Sequence, residues 1–421
     1  MKKGIQTFYK SLNLKDVPAV LKIYILIALL SPVLANEKPL IIKYNGELFF
    51  PAFTSNAYFP IKDSEGLTTN ERTESIDWKN IASEFILYAP VSWSAGHSDL
   101  ENGNYVSPFA KQYFIDTNGD RKELPFSKRH FLGTTRSGED VLAGLIHGTR
   151  ISVWIGFASM FIAGIFGVLI GGLAGFLGDY KFKVSRITVF YFILMLVPAW
   201  YYSFTIQSGA ITACFSNSII SGLLRLTLSV ILFAFILLWP LLMKTKFRTR
   251  NYFTRKISIP IDFIIMRIIE IFLSLPRMVM ILTIAAIIKP SVSTLVLIIG
   301  LTSWTDIARI TRAELLKLRE VDFINAEKSI GLGIKAILFK HILPNITPVI
   351  ITVLIFGVAS AIMTETGLSF LGIGLPAGTV TWGTLMFAAK ENFMAWWLVL
   401  FPGLAISILL ISLNNYGKRL S

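Results

Sequence analysis

Long apolar stretches recur along this chain at 18–36, 151–178, 187–206, 219–243, 262–288, 291–308, 346–366 and 396–415, separated by polar or charged connections. About 20 apolar residues wound as an α-helix cross a bilayer core, so the pattern predicts eight membrane spans. A different rhythm opens the segment between the first two. Ile41-Ile42-Lys43-Tyr44, then Asn45-Gly46, then Glu47-Leu48-Phe49-Phe50 predicts a β-hairpin, because Asn-Gly tolerates the positive φ angles of a type I′ turn. The 113 residues from 37 to 149 are too many for a bare loop. The expected fold class is therefore an all-α polytopic membrane protein of about eight transmembrane helices with a small, partly β extracytoplasmic segment. That segment reads equally well as a folded cap on the bundle or as a surface for a partner.

Composition agrees with a membrane setting. The chain of 421 residues is 53% apolar and only 16% charged, against roughly 25% charged in soluble domains. A disordered chain, a nucleic-acid-binding domain and a disulfide-stapled secreted fold all fit poorly. The net charge of +14 is uneven. With the N-terminus placed in the cytoplasm, the inner segments 1–16, 179–186, 244–258, 309–345 and 416–421 carry 22 Lys and Arg, whereas the short outer connections 207–218, 289–291 and 367–395 carry 2. This is the positive-inside pattern, and it predicts a multi-pass protein of the cytoplasmic membrane with both termini inside. Segment 37–149 then lies outside, with 11 basic and 15 acidic residues. Residues 1–36 read as a cytoplasmic start and an uncleaved anchor. The rival reading is a signal peptide led by Lys2 and Lys3 and cut after Val33-Leu34-Ala35. Cys214, a single cysteine, says nothing about redox compartment.

Little in the chain points to chemistry. Gly133-Thr134-Thr135-Arg136-Ser137-Gly138 has the glycine spacing of a phosphate loop, but Glu139-Asp140 follow where Lys-Ser/Thr is needed. His97, His130, His147 and His341 are scattered without metal-ligand spacing, and no nucleophile–base arrangement stands out. No catalytic residue, metal or cofactor is expected, and no substrate-binding residue can be named. Ionisable residues in the spans are few: Arg225, Arg267, Glu270, Arg277, Asp306 and Glu365. Arg267 and Glu270, three apart, read as a structural ion pair on one helix face. Gly164, Gly167, Gly171, Gly172, Gly175 and Gly178 form a small-residue seam that suits close helix packing.

The cytoplasmic stretch 309–345 is more informative. Asp322 is placed to cap a short helix through Ile330, ended by Gly331 and Gly333. Phe323, Ala326 and Ile330 share one face. A second short helix is expected from Ile334 until Leu343-Pro344 stops it. A helix-turn-helix on the inner surface with small and apolar residues outward fits a protein partner's groove better than a lipid surface.

These residues resemble a known family. Asn325-Ala326-Glu327, Gly331 and then His341-Ile342-Leu343-Pro344-Asn345 resemble the EAA loop, here 322–345, of ABC importer permeases, and the His-x-Leu-Pro-Asn ending is similar to the oligopeptide and dipeptide branch. Further matches follow in chain order: Leu132-Gly133-Thr134 with Gly138 and Asp140-Val141-Leu142, then Gly148-Thr149-Arg150-Ile151-Ser152. Arg267 with Glu270 and Pro276, Arg309 with Arg312, Leu368-Ser369-Phe370-Leu371-Gly372, Trp382-Gly383 and Phe401-Pro402-Gly403 continue the series, and Asn414 with Gly417 closes it. The outer start, Ala35 to Tyr44 and Phe50-Pro51, is most similar to permeases of peptide and microcin C importers. Two departures stand out. Asn325 and Glu327 stand where Glu and Ala are usual, and residues 183–258 are inserted between the family's second and third spans.

The resemblance implies a permease domain at 150–421, forming half of an import pore in a bacterial inner membrane. It implies two ATP-binding cassette ATPase subunits as partners, a second permease, usually non-identical in the peptide branch, and an extracytoplasmic substrate-binding protein. The ATPase-coupling residues would be Asn325, Ala326, Glu327, Gly331, His341, Leu343 and Pro344. Two other classes predict different patterns. An ion-coupled secondary transporter would show inverted repeats and broken midplane helices, and a membrane-anchored binding or sensor protein would need one or two spans rather than eight.

Overall fold

The computed structural model describes residues 17–44, 46–54, 58–62, 68–72, 76, 78, 81, 84–115, 119–179, 183–217, 219–242, 256–319 and 342–420. Two compact units are present, residues 1–172 with 268–421 and residues 173–267.

The first unit opens with α1 (Ala19–Leu34) and the outer strands. Strand β1 (Ile41–Tyr44) pairs antiparallel with β2 (Glu47–Phe49) in the register Tyr44 to Glu47, so the hairpin expected at Asn45-Gly46 is present, with Gly46 at φ +82°. Strands β3 (Tyr58–Lys62) and β4 (Thr68–Arg72) form a second hairpin. Strand β5 (Phe85–Leu87) pairs with the other edge of β1. Ile42, Phe59, Ile76 and Trp78 are buried together behind these strands. Strands β6 (Tyr113–Ile115) and β7 (Arg121–Glu123) form a third hairpin.

Helix α2 (Val141–Leu177) follows. It starts ten residues before the predicted span, because the Asp140 carboxylate accepts from the Ala143 amide at 2.6 Å and caps the free amides of a first turn. His147 is consequently helical rather than part of an outer loop.

The second unit holds β8 (Lys183–Ser185), α3 (Arg186–Trp200), a π-turn at Tyr201–Thr205, α4 (Ser208–Asn217), α5 (Ile219–Leu242) and β9 (Lys256–Ser258). The outer connection expected at 207–218 is helical instead. Ser208 and Thr212 hydroxyls there bond carbonyls one turn back, at 2.8 and 2.9 Å, so the polar residues serve a helix rather than a loop. Ile193, Val197 and Ile231 are exposed on α3 and α5, an arrangement at home in lipid.

The stretch predicted as one span at 262–288 is broken. Helices α6 (Ile261–Ser274) and α7 (Arg277–Ile287) meet at 79°. Pro276 has no amide to continue α6 and disfavours helical geometry at Leu275. Its fixed φ then opens α7. Helices α8 (Val292–Arg319), α9 (Leu343–Phe370), α10 (Trp382–Ala388) and α11 (Trp397–Leu420) complete the first unit. Its core includes Ile155, Met160, Ile299, Ile362 and Trp382. Among the described residues, five helical stretches are long and apolar enough to cross a membrane, one of them the run Thr188–Cys214 through α3, the π-turn and α4, or six if the bent pair counts as one span; Ala19–Leu34 and Leu224–Trp239 are apolar but shorter. Each of the eight predicted stretches is thus helical, but not each is a full-length straight span.

Candidate functional site

Of the expected coupling residues, Asn325, Ala326, Glu327, Gly331 and His341 lie outside the described residues, as do Asp322, Phe323, Ile330, Gly333 and Ile334. Leu343 and Pro344 are described. They open α9 with Pro344 in its first turn, where a missing amide costs nothing and the fixed φ suits the helix. The boundary expected there as the end of a short helix is the start of a long one.

The stem on which the loop stands is well defined. Leu315 near the end of α8 packs with Ile342, Ile346 and Ile350 at the start of α9, all four buried. Leu318, Leu343, Val168 and Leu354 close around them. The end of α8 and the start of α9, which flank residues 320–341, are thereby held together.

Helix α8 is in turn held against α2 by the glycine seam. A Cβ on Gly167 would lie 2.6 Å from the Ile307 Cβ, and one on Gly171 would lie 2.2 Å from the Ala308 carbonyl oxygen. Only glycine permits this approach. Asp306, on the same stretch of α8, pairs with Arg277 just after the Pro276 break and lies 3.6 Å from Arg309. Among the intramembrane charges, this bridge ties the broken helix to α8. The sequence showed Asp306 and Arg277 separately, and nothing in their 29-residue separation flagged them as partners. The Arg267 guanidinium sits 4.8 Å over the Phe263 ring.

A second set of contacts forms a collar at the other end of α2. Gly133 and Gly138 both adopt positive φ, and a Cβ on Gly138 would lie 1.9 Å from the Asp99 carbonyl oxygen. The phosphate-loop look-alike is therefore a tight structural turn. His130 is buried beside it, its Nδ1 2.8 Å from Asp140 and its Nε2 3.2 Å from Asp99. The Trp93 indole stacks on the imidazole at 4.1 Å. Burial alone would lower the His130 pKa, but hydrogen bonds and charge from Asp140 and Asp99 outweigh it and raise the pKa above the usual value. Trp397 Nε1 donates to the Thr134 carbonyl at 3.1 Å, and Trp382 Nε1 to the Leu145 carbonyl at 3.2 Å. Within the bundle Glu365 is fully buried and accepts from Ser152 on α2 and Ser369 on α9, each at 2.9 Å. The hub was missed in sequence, although a Glu amid Thr364, Thr366 and Ser369 in an apolar run was a usable signal. These groups are enclosed and mutually satisfied. They fix helices and expose no nucleophile or base to a reactant.

Residues 252–421 match the family described as binding-protein-dependent transport system inner membrane component. The chain is 26% identical over 395 residues, 93% of its length and 87% of the relative's, to the inner membrane ABC transporter permease protein YejE of Escherichia coli K12. It is 24% identical over 405 residues, 93% of its length and 84% of the relative's, to the peptidoglycan transport system permease protein YejE of Agrobacterium fabrum. A putative peptide permease of Brucella ovis is 37% identical over 164 residues, 38% of this chain and 54% of that one.

Proposed function

We propose that this chain, a membrane permease subunit of the ABC importer class and not itself an enzyme, carries peptides or peptide-like compounds inward as one half of a translocation pore. The observation that carries the reading is the packed stem of Leu315, Ile342, Ile346 and Ile350 beneath loop 322–345. The loop emerges from two long helices locked together, so it is built to pass a push from a cytoplasmic partner into the bundle. Two ATPase subunits acting at Ala326 and Gly331 would supply that push. A second permease would complete the pore, and an extracytoplasmic binding protein would deliver the substrate.

Peptide chemistry is supported by the relatives' printed roles, which include peptide permeases and a peptidoglycan transport system. The finer placement, beside the peptide and microcin C importers, rests on the sequence of the outer start, residues 35–51. The positive-inside count supports both termini in the cytoplasm. The 183–258 insertion is proposed as an added helix pair outside the transport core, a reading supported by the separate compact unit 173–267. Uptake of a labelled oligopeptide, compared between cells with and without this chain, tests the assignment. ATP-dependent accumulation that requires the chain is expected; equal uptake in both would remove peptide import from the account.

A further inference from the structure

A groove of about 530 Å³ lies between α1 and α2, and Val292, the first residue of α8, also lines it. Its walls are apolar, formed chiefly by Ile25, Leu29 and Pro32 of α1 with Ile151 and Trp154 of α2. Arg150 stands on its rim, exposed. The guanidinium makes no hydrogen bond or ion pair with any described residue. His147, a titratable neighbour one turn back, donates through Nε2 to the Ala35 carbonyl at 2.8 Å. No described carboxylate answers the charge.

Depth follows from that same bond. It fixes α2 against the end of α1, and Arg150 lies three residues further on, roughly 4.5 Å along the helix axis. The C-terminus of α1 and the N-terminus of α8 therefore meet the groove at the level of Arg150. Its apolar walls continue inward as far as Ile25, about two and a half turns before the end of α1. A cation at the bilayer rim reaches the interface on its long stem, where an anionic headgroup can meet its charge. A partner helix would fill the channel but would have to bring a carboxylate to this one point. A lipid presents phosphate and hydrocarbon in that order along its length. Trp154, 63% exposed, is of the residue type that sits at the headgroup boundary.

We infer that this groove is a phospholipid site, with the phosphate held by Arg150 and one acyl chain lying between α1 and α2. Under the proposed orientation, the lipid belongs to the outer leaflet. The site steadies the short α1, whose 16 residues span about 24 Å and fall below the hydrocarbon thickness.

Native mass spectrometry of the detergent-purified full chain, titrated with phosphatidylglycerol, tests the inference without reference to leaflet or transport. Failure here is thus distinguishable from failure of the orientation or of the importer reading. One lipid should bind with higher affinity than the rest. Arg150→Gln should weaken that step about fivefold or more, and Leu29→Trp should weaken it by filling the groove. Arg150→Lys, which keeps the charge, should retain most of the affinity. Unchanged binding in both Arg150→Gln and Leu29→Trp would overturn the site. So would displacement of no lipid together with a crosslink from Leu29→Cys to the second permease, which would make the groove a subunit interface.

Discussion

The carboxylate of Glu365 on α9 accepts the Ser152 hydroxyl of α2 at 2.9 Å in a fully buried position. Two helices 213 residues apart in sequence are thereby tied at one point, and Ser369 adds a second donor one turn along α9. Removing the carboxylate strands these hydroxyls away from water, at a cost of about 1–3 kcal/mol. Glu365→Ala should therefore lower the melting temperature in detergent clearly more than Glu365→Gln, whose amide oxygen can still accept. Equal melting of the two variants would show that the hydroxyls turn to backbone carbonyls and that the tie is dispensable.

The glycine seam gives a positional contrast. A side chain at Gly171 meets the Ala308 backbone, whereas a Cβ at the adjacent Gly172 meets nothing within 4 Å. Gly171→Ala should destabilise by about 1–3 kcal/mol through overpacking. Gly172→Ala should be neutral or stabilise by up to about 1 kcal/mol through helix propensity. Thermal unfolding of both variants checks this, and an equal response at the two positions would contradict the close approach of α2 and α8.

His130 sets a pH dependence on the outer side. Its folded-state pKa is raised, so the stability it contributes is complete below the unfolded value near 6.5 and is lost as pH rises through the folded value. The 37–140 segment should become more open to limited proteolysis as pH climbs from neutrality into the alkaline range. His130→Gln should flatten that trend over the same range. Persistence of the full trend in the variant would assign it to other groups.

How much of this was legible in the sequence follows from the range of each interaction. The apolar stretches and the Asn-Gly hairpin are local patterns, and all appear as helices and as the β1–β2 register. The glycine seam announced a close approach without naming Ile307 and Ala308 as the surfaces met. The break at Pro276 was visible as a proline within an apolar run, yet the length of that run outweighed it. Pairs such as Glu365 with Ser152, His130 with Asp99 and Arg277 with Asp306 depend on which helices and turns become neighbours. A single sequence carries no direct signal of that. The coupling residues Asn325 to His341 were read from motif and resemblance, and they remain a proposal.

The inserted segment can be tested by removal. Since 173–267 forms its own compact unit, deletion of 184–257 should leave more uptake than disruption of loop 322–345, with both variants normalised to the amount in the membrane. A deletion variant that inserts normally and transports nothing would place the insertion within the transport core.

In the proposed mechanism, loop 322–345 receives force from an ATPase and delivers it through the Leu315–Ile346 stem. Gly331 follows a predicted short helix, where a β-branched residue is disfavoured if φ is positive, and Ala326 lies on that helix's predicted outward face. The direct measurement is ATPase co-purification and substrate uptake for Gly331→Val and Ala326→Trp, each normalised to membrane content. The account predicts normal insertion with weakened ATPase attachment and uptake uncoupled from hydrolysis. Wild-type attachment and uptake in both variants would contradict it.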